Sequence, residues 1–174
     1  MPIFHLRTRQ HLDRPRDEVF GFFSRAANLG VITPDWLDFE ILTPGDPEMR
    51  VGLLLDYRIR LRGIPMKWQS EITVWEPPYR FVDEQRRGPY SRWHHTHSFR
   101  ADGDTTWVED HVEYASIGGH LANKLFLEPQ LRAIFEHRQR VIGAMFGDVT
   151  PPVTELLGTE APVGDVRPGT VDGA

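Results

Sequence analysis

The sequence predicts an α+β domain: a seven-stranded, curved antiparallel sheet wrapped around a long C-terminal helix, with two short helices closing one end. Two observations carry this. Between Phe39 and Ala115 apolar residues recur at every second position, and the runs are separated by short Gly- and Pro-containing links, as in a meander of hairpins. From residue 119 to 146 the period becomes helical, with Leu121, Leu125, Leu131, Ile134, Phe135, Arg138, Ile142 and Met145 close to one stripe. A sheet with one apolar face and a helix with one apolar stripe are buried most economically against each other.

The elements follow in order. Phe4, Leu6 and Thr8 alternate with Ile3, His5 and Arg7, a strand pattern over residues 3–12. Asp13-Arg14-Pro15 starts a helix to Ser24, because proline in a first turn lacks only an N–H that no carbonyl needs. A second short helix runs from Ala26 to Ile32 and stops at Thr33-Pro34. Residues 50–62 form the clearest strand, with Val51, Leu53, Leu55, Tyr57, Ile59 and Leu61 on one face and Asp56, Arg58, Arg60 and Arg62 on the other. Gly63-Ile64-Pro65 leads into a strand from Met66 to Trp75, with Trp68, Ser70, Ile72 and Val74 on one side. Strands from Arg80 to Arg86, Tyr90 to Arg100 and Thr105 to Ala115 complete the meander, and Glu128-Pro129 marks a kink or restart in the long helix.

Composition narrows the function. The chain has 174 residues, 40% of them hydrophobic, enough for one domain that holds a cavity and still has a core. A net charge of −5 gives no basic excess for nucleic acid or anionic membrane. The absence of cysteine excludes disulfides, thiolate metal sites and cysteine nucleophiles. There is no apolar leader and no run long enough to span a membrane, so the expected location is the cytoplasm. The domain is expected to end at residue 147. Residues 148–174, with four Pro, four Gly, five acids and only Arg167 as a base, read as a disordered acidic tail.

Several junctions resemble the SRPBCC or START-like superfamily, also called Bet v 1-like or the polyketide cyclase/dehydrase group. They are Asn28-Leu29 with Ile32-Thr33-Pro34, Trp75-Glu76-Pro77-Pro78, Phe81 to Gln85, Gly88-Pro89-Tyr90, and Trp93 to Phe99. Within that group the chain looks most like bacterial stand-alone ligand-binding proteins. The resemblance implies a helix-grip fold over residues 3–147 and an internal cavity for a lipid-, sterol- or polyketide-like molecule. Some relatives carry a nucleotide-sugar epimerase-like domain, and no glycine-rich dinucleotide fingerprint occurs here.

The most informative segment is Tyr90 to Phe99. Alternation places Trp93, His95, His97 and Phe99 on one face, and the aromatics argue that it is the covered one. A four-residue turn at Ala101 to Asp104 registers His95 opposite Asp110, an inward charge-assisted pair, while Asp83 approaches from the preceding strand. This pair has four readings: a self-satisfied polar pair that fixes register, the polar fixtures of an apolar pocket, a general acid/base couple in which Asp83 or Tyr57 is a second acid, and, last, a metal set of His95, His97 and Asp110. No metal and no cofactor is expected. Pairing in a wet cavity raises the His95 pKa, whereas a dry one leaves a neutral hydrogen-bonded pair. Arg138, on the apolar stripe, meets either a ligand carboxylate or an internal acid, and the acid is preferred. The Arg58, Arg60, Arg62 ladder reads as a solvated face.

The expected function is binding of a small hydrophobic or amphipathic ligand between sheet and helix. Its walls are Leu55, Tyr57, Trp68, Phe81, Asp83, Trp93, His97, Phe99, Tyr114, Leu131, Phe135 and Arg138. The alternatives are an aromatase/cyclase or dehydratase-like enzyme that moves a proton with His95 and Asp110, and a cochaperone-like interaction module. Binding without catalysis is favoured, with no nucleic acid or membrane span as partner and a homodimer left open.

Overall fold

In a computed structural model the described residues are 1–61, 63–115 and 118–159. Eight strands form one antiparallel sheet: β1 (Phe4–Leu12), β2 (Glu40–Ile41), β3 (Leu54–Leu61), β4 (Ile64–Glu76), β5 (Arg80–Arg87), β6 (Arg92–Asp102), β7 (Thr105–Ala115) and β8 (Asp148–Leu157). Their order across the sheet is β2-β3-β4-β5-β6-β7-β1-β8, so the hairpin meander from β3 to β7 is continued by β1 at its far end. Helix α1 (Arg16–Phe23) and 3-10 turns at Ala26–Gly30 and Asp35–Leu37 lie between β1 and β2. A short helix α2 (Gly119–Ala122) passes through a π turn (Asn123–Leu127) into α3 (Glu128–Phe146). Pro129 falls in the first turn of α3, where its missing N–H is tolerated.

The long helix crosses the covered face. Leu131, Phe135, Arg138, Gln139, Ile142 and Phe146 are its buried residues. Phe135 meets the ring of His95 on β6, Arg138 reaches Asp110 on β7, and the Gln10 side chain of β1 donates to the Gln139 carbonyl. The inner face of the sheet supplies Leu6, Leu55, Tyr57, Trp68, Ile72, Phe81, Phe99, Val112 and Tyr114 to the same core.

Four sequence expectations are corrected. The sheet has eight strands rather than seven, because residues 148–157 form an edge strand against β1 and are not a tail. An edge strand leaves half of its N–H groups without a ladder partner, and Pro151-Pro152 sits where the register shifts between Thr150 and Val153, so the prolines cost no ladder bond. Side chains pin this strand: Gln139 donates to the Val153 carbonyl at 3.0 Å, Thr154 to Gln139 Oε1 at 2.7 Å, and Gln10 to Asp148 at 2.7 Å. The rest of the expected tail, residues 160–174, lies outside the described residues. Second, β3 begins at Leu54, since Gly52 at φ 81° turns the chain and leaves Val51 58% exposed. Third, an irregularity between Ile72 and Val74 moves Val74 off the inner face and brings Trp75 against Phe20 and Phe81. Fourth, the β6–β7 turn contains two residues, not four, with Gly103 at φ 61°. Pairing therefore runs out to Asp102–Thr105, which sets His97 opposite Asp110 and His95 opposite Val112. The slip is two residues, so every side chain keeps its face.

The outer face is polar. Arg58 pairs with Glu40 and Arg60 with Asp38, the solvated ladder expected of these arginines. Arg62 lies outside the described residues.

Candidate functional site

Between sheet and helix the core leaves a cavity of about 190 Å³. Of the expected wall residues, Leu55, Tyr57, Trp68, Phe81, Asp83, Trp93, His97, Leu131, Phe135 and Arg138 line it, together with His95. Phe99 and Tyr114 are not part of its lining. Phe99 packs among Phe20, Phe23 and Phe81, and Tyr114 among Phe4 and Tyr90. Half-buried Phe22, Asn28, Leu29, Leu61 and Ile134 are also among its lining residues, as are buried Ser70 and Tyr90.

The polar end of the cavity is one connected cluster. His95 and His97, two apart on β6, point inward with ring centroids 3.7 Å apart. On one side lies Asp110, 5% exposed. Its Oδ1 is 3.0 Å from His95 Nε2, 2.9 Å from His97 Nδ1 and 3.4 Å from an Arg138 terminal nitrogen, and its Oδ2 accepts from Thr8 Oγ1 at 3.0 Å. On the other side lies Asp83, whose Oδ2 is 2.9 Å from His97 Nε2 and 3.4 Å from His95 Nδ1. Each imidazole is thus held between two carboxylates. Ser70 Oγ, 3.5 Å from Asp83 Oδ1, also receives the Trp68 indole N–H at 3.1 Å and is 2.5 Å from the Tyr57 hydroxyl. The pairing of Arg138 with an internal acid is as the sequence suggested. Thr8 and Ser70 were not singled out as site residues, although each alternates with inward apolar neighbours.

Electrostatics divide the cluster. Burial, aided by the His97 charge, outweighs the hydrogen bond from His95 to Asp110 and pulls the His95 pKa down to about 4, so His95 is neutral near pH 7. At Asp110 burial works upward, but Arg138 and the two imidazole hydrogen bonds overcome it and hold the carboxyl well below its usual range. At Asp83 burial is likewise outweighed by His95, His97 and Arg138, and the pKa is lowered. Burial, then the Asp83 charge, drives the Tyr57 phenol upward and keeps it a hydrogen-bond donor. The raised pKa of a wet His95 pair is therefore not what this site has: burial wins at the imidazole and pairing wins at Asp110.

A second histidine cluster lies on the outer face of the sheet, on β1 and β7. His5 Nδ1 and His111 Nε2 are 3.0 Å apart, and Glu113 completes a group of three possible metal donors. Glu113 is already held by Arg92 at 2.5 Å. Burial, with the nearby charges of Arg7 and His5, lowers the His111 pKa to about 4.

The match to known proteins agrees with the fold. A family model described as polyketide cyclase / dehydrase and lipid transport matches residues 12–140. Among solved structures, the TTHA0849 protein of Thermus thermophilus is 18% identical, covers 81% of this chain and 98% of its own, and superposes with a TM-score of 0.59. The Zhui aromatase/cyclase from Streptomyces sp. R1128 is 13% identical, with 82% and 93% covered and a TM-score of 0.62. A START superfamily protein from Mycobacterium smegmatis is 11% identical, with 82% and 99% covered and a TM-score of 0.57. No curated protein sequence matches. Among the described residues, no helix is long and apolar enough to cross a membrane. With the family model spanning strands β2 to β7, the first helix and most of α3, the chain belongs to the polyketide cyclase/dehydrase and lipid transport family.

Proposed function

We propose that the protein binds a small, largely apolar molecule in the cavity, oriented by the Asp83–His95–His97–Asp110 cluster. The observation that supports this best is the coincidence of an aromatic and aliphatic wall with a single buried polar end, the arrangement by which a pocket holds a ligand and also aligns it. Burying about 300 Å² of apolar ligand surface contributes about 7 kcal/mol before ordering costs. A volume of about 190 Å³ favours a compact ligand of one or two rings over a sterol, since ligand pockets usually span about 300–1,000 Å³. A ring system carrying an oxygen matches both ends of the site.

The direct test uses 1-naphthol as probe, an apolar bicycle with one hydroxyl. Saturable one-to-one binding, read by quenching of tryptophan fluorescence from Trp68 and Trp93, is the expected result. Ile134→Trp, a substitution at a half-buried lining residue, should abolish it without lowering the melting temperature. Absence of saturable binding, or binding indifferent to Ile134→Trp, would overturn the proposal.

A second reading is an enzyme of the cyclase or dehydratase type. It is favoured by a neutral imidazole, His95, that faces the cavity with a carboxylate on either side. Such a group accepts a proton from a carbon next to a carbonyl and returns it to a leaving oxygen, with the Tyr57 phenol as the second acid. Turnover of a poly-β-ketone by wild type and loss of it in His95→Ala would establish catalysis. Equal rates would leave binding alone.

A further inference from the structure

Two imidazoles have four ring nitrogens, and in this cluster all four face carboxylate oxygen. His95 Nε2 and His97 Nδ1 face Asp110 at 3.0 and 2.9 Å, while His95 Nδ1 and His97 Nε2 face Asp83 at 3.4 and 2.9 Å. A carboxylate only accepts, so each of these contacts needs a proton or a cation between its atoms. Arg138 supplies that cation beside His97 Nδ1, whereas His95 Nδ1 and Asp83, 3.4 Å apart, have no hydrogen bond between them.

The surroundings decide where the protons sit. Arg138 and Thr8 both donate to Asp110, so that side is already cationic and donor-rich. The Arg138 terminal nitrogen donates to His97 Nδ1 at 3.2 Å and lies 3.4 Å from Asp110 Oδ1, so the guanidinium serves both, and His97 donates from Nε2 to Asp83 at 2.9 Å. With His95 Nε2–H directed to Asp110, the lone pair of His95 Nδ1 turns to Asp83, where His97 Nε2 also converges. Their distances suit two ligands on one ion. Donors about 2.05 Å from a metal are about 2.9 Å apart at 90° and about 3.4 Å apart near 112°. By contrast, 3.4 Å is too long for a charge-assisted hydrogen bond, which runs to about 2.9 Å. One donor atom from each of Asp83, His95 and His97 lies within 4.8 Å of the other two.

We propose that Asp83, His95 and His97 bind a divalent transition-metal ion at the polar end of the cavity, with Asp110 orienting both imidazoles from behind. Two histidines and one carboxylate suit Zn²⁺, Fe²⁺ or Co²⁺, and a carboxylate that receives the remaining ring N–H is the usual support for a ligating histidine. This departs from the sequence expectation of no metal, and the carboxylate differs from the one the spacing suggested, because Arg138 already neutralises Asp110. The outer His5–His111–Glu113 group is the weaker candidate: its two nitrogens satisfy each other and Arg92 occupies its carboxylate. The three ligands line the cavity, so the remaining coordination positions open into it. They take a carbonyl, phenolate or enolate oxygen of the bound molecule, and only this last step rests on the ligand-binding reading above.

The test titrates EDTA-treated full-length protein with Co²⁺ and reads its visible d–d absorption. One saturable equivalent is expected, displaced by Zn²⁺. Asp83→Asn and His97→Ala should each abolish it, Asp110→Asn should weaken it about 10–100-fold, and His111→Ala should leave it unchanged. Imidazole ¹⁵N shifts of the wild type with Zn²⁺ need no variant, and should show metal on His95 Nδ1 and His97 Nε2, with the His95 proton kept on Nε2 and the His97 proton moved from Nε2 to Nδ1. Absence of d–d bands, bands that survive both Asp83→Asn and His97→Ala, or bands lost in His111→Ala would overturn the proposal. If 1-naphthol binds where Co²⁺ does not, the metal site fails alone. If Co²⁺ binds where 1-naphthol does not, the ligand reading fails alone.

Discussion

The sheet carries a histidine cluster on each face, the inner one on β5, β6 and β7 and the outer one on β1 and β7, and the two differ in burial and in their charged partners. Inside, His95 and His97 sit between Asp83 and Asp110 under the cover of α3, with Arg138 closing the charge balance. Outside, His111 meets His5, feels the charge of Arg7, and has Glu113 as its neighbour, itself held by Arg92. Both faces lower a histidine pKa to about 4, yet for different reasons. Full burial and the neighbouring His97 do it inside, while outside partial burial is joined first by the guanidinium of Arg7 and then by His5. Side-chain alternation alone assigns neighbouring residues to these two environments, and only the inner one adjoins an apolar cavity.

The largest expected contrast comes from deleting one carboxylate on each face. Asp110→Ala strands Arg138, the His95 imidazole and the Thr8 hydroxyl without their acceptor and should cost about 3–5 kcal/mol in urea denaturation. Glu113→Ala removes a carboxylate whose side chain is 27% exposed and should cost less than about 1 kcal/mol. Comparable losses would show that the inner cluster is no more demanding than the outer one.

Packing separates the faces next. Val112, fully buried, should lose about 2 kcal/mol on Val112→Ala, measured by the same denaturation. Glu109, in a half-exposed ion pair with Arg9, should change stability by no more than about 0.5 kcal/mol on Glu109→Ala.

Acid tests the protonation states of the metal-free protein. With a folded pKa of about 4 against 6.5 in the unfolded chain, His95 makes the unfolded state bind the extra proton first. Stability should therefore be full above 6.5, fall as pH drops toward about 4, and then level off for this group. Asp110, held well below its usual range, adds stability at higher pH and loses it only below about 3.9, on descent through its depressed value. Urea denaturation across this range should show a shallower slope in His95→Asn than in wild type. His111→Asn should flatten it less, because His111 is half exposed and solvent screens its interactions. A slope unchanged in His95→Asn would mean that the ring is not held neutral.

The smallest effect concerns β8. Thr154→Val removes the hydroxyl that donates to Gln139 and should cost about 1 kcal/mol, seen as faster amide exchange in β8 with the cavity unchanged. No change in exchange would indicate that backbone pairing with β1 alone holds the edge.

Much of this was legible in the residues. Alternation placed Asp83, His95, His97 and Asp110 on the inner face, and helical spacing placed Arg138 above them. The pairing register was not legible, because Ala101 to Asp104 accommodates a two- or a four-residue turn and the pattern is unchanged by a slip of two. Strand β8 was hidden by Pro151-Pro152, whose place at an edge irregularity depends on tertiary context. Phe99 and Tyr114 share a periodicity with the cavity wall, and nothing in the chain tells an inward aromatic that borders a void from one packed against α1 or β1. Thr8 and Ser70 carry no pattern signal beyond their apolar neighbours, so their contacts with Asp110 and Asp83 emerge only from the pairing of β1 with β7 and of β4 with β5.

The most direct measurement is a long-range ¹H–¹⁵N correlation of the imidazole nitrogens in the EDTA-treated protein as 1-naphthol is added. The ring resonances of His95 and His97 should move together and saturate at one equivalent, while those of His5 and His111 stay fixed. Resonances of His95 and His97 that remain still, or shifts confined to His5 and His111, would contradict the placement of the ligand site between the sheet and the long helix.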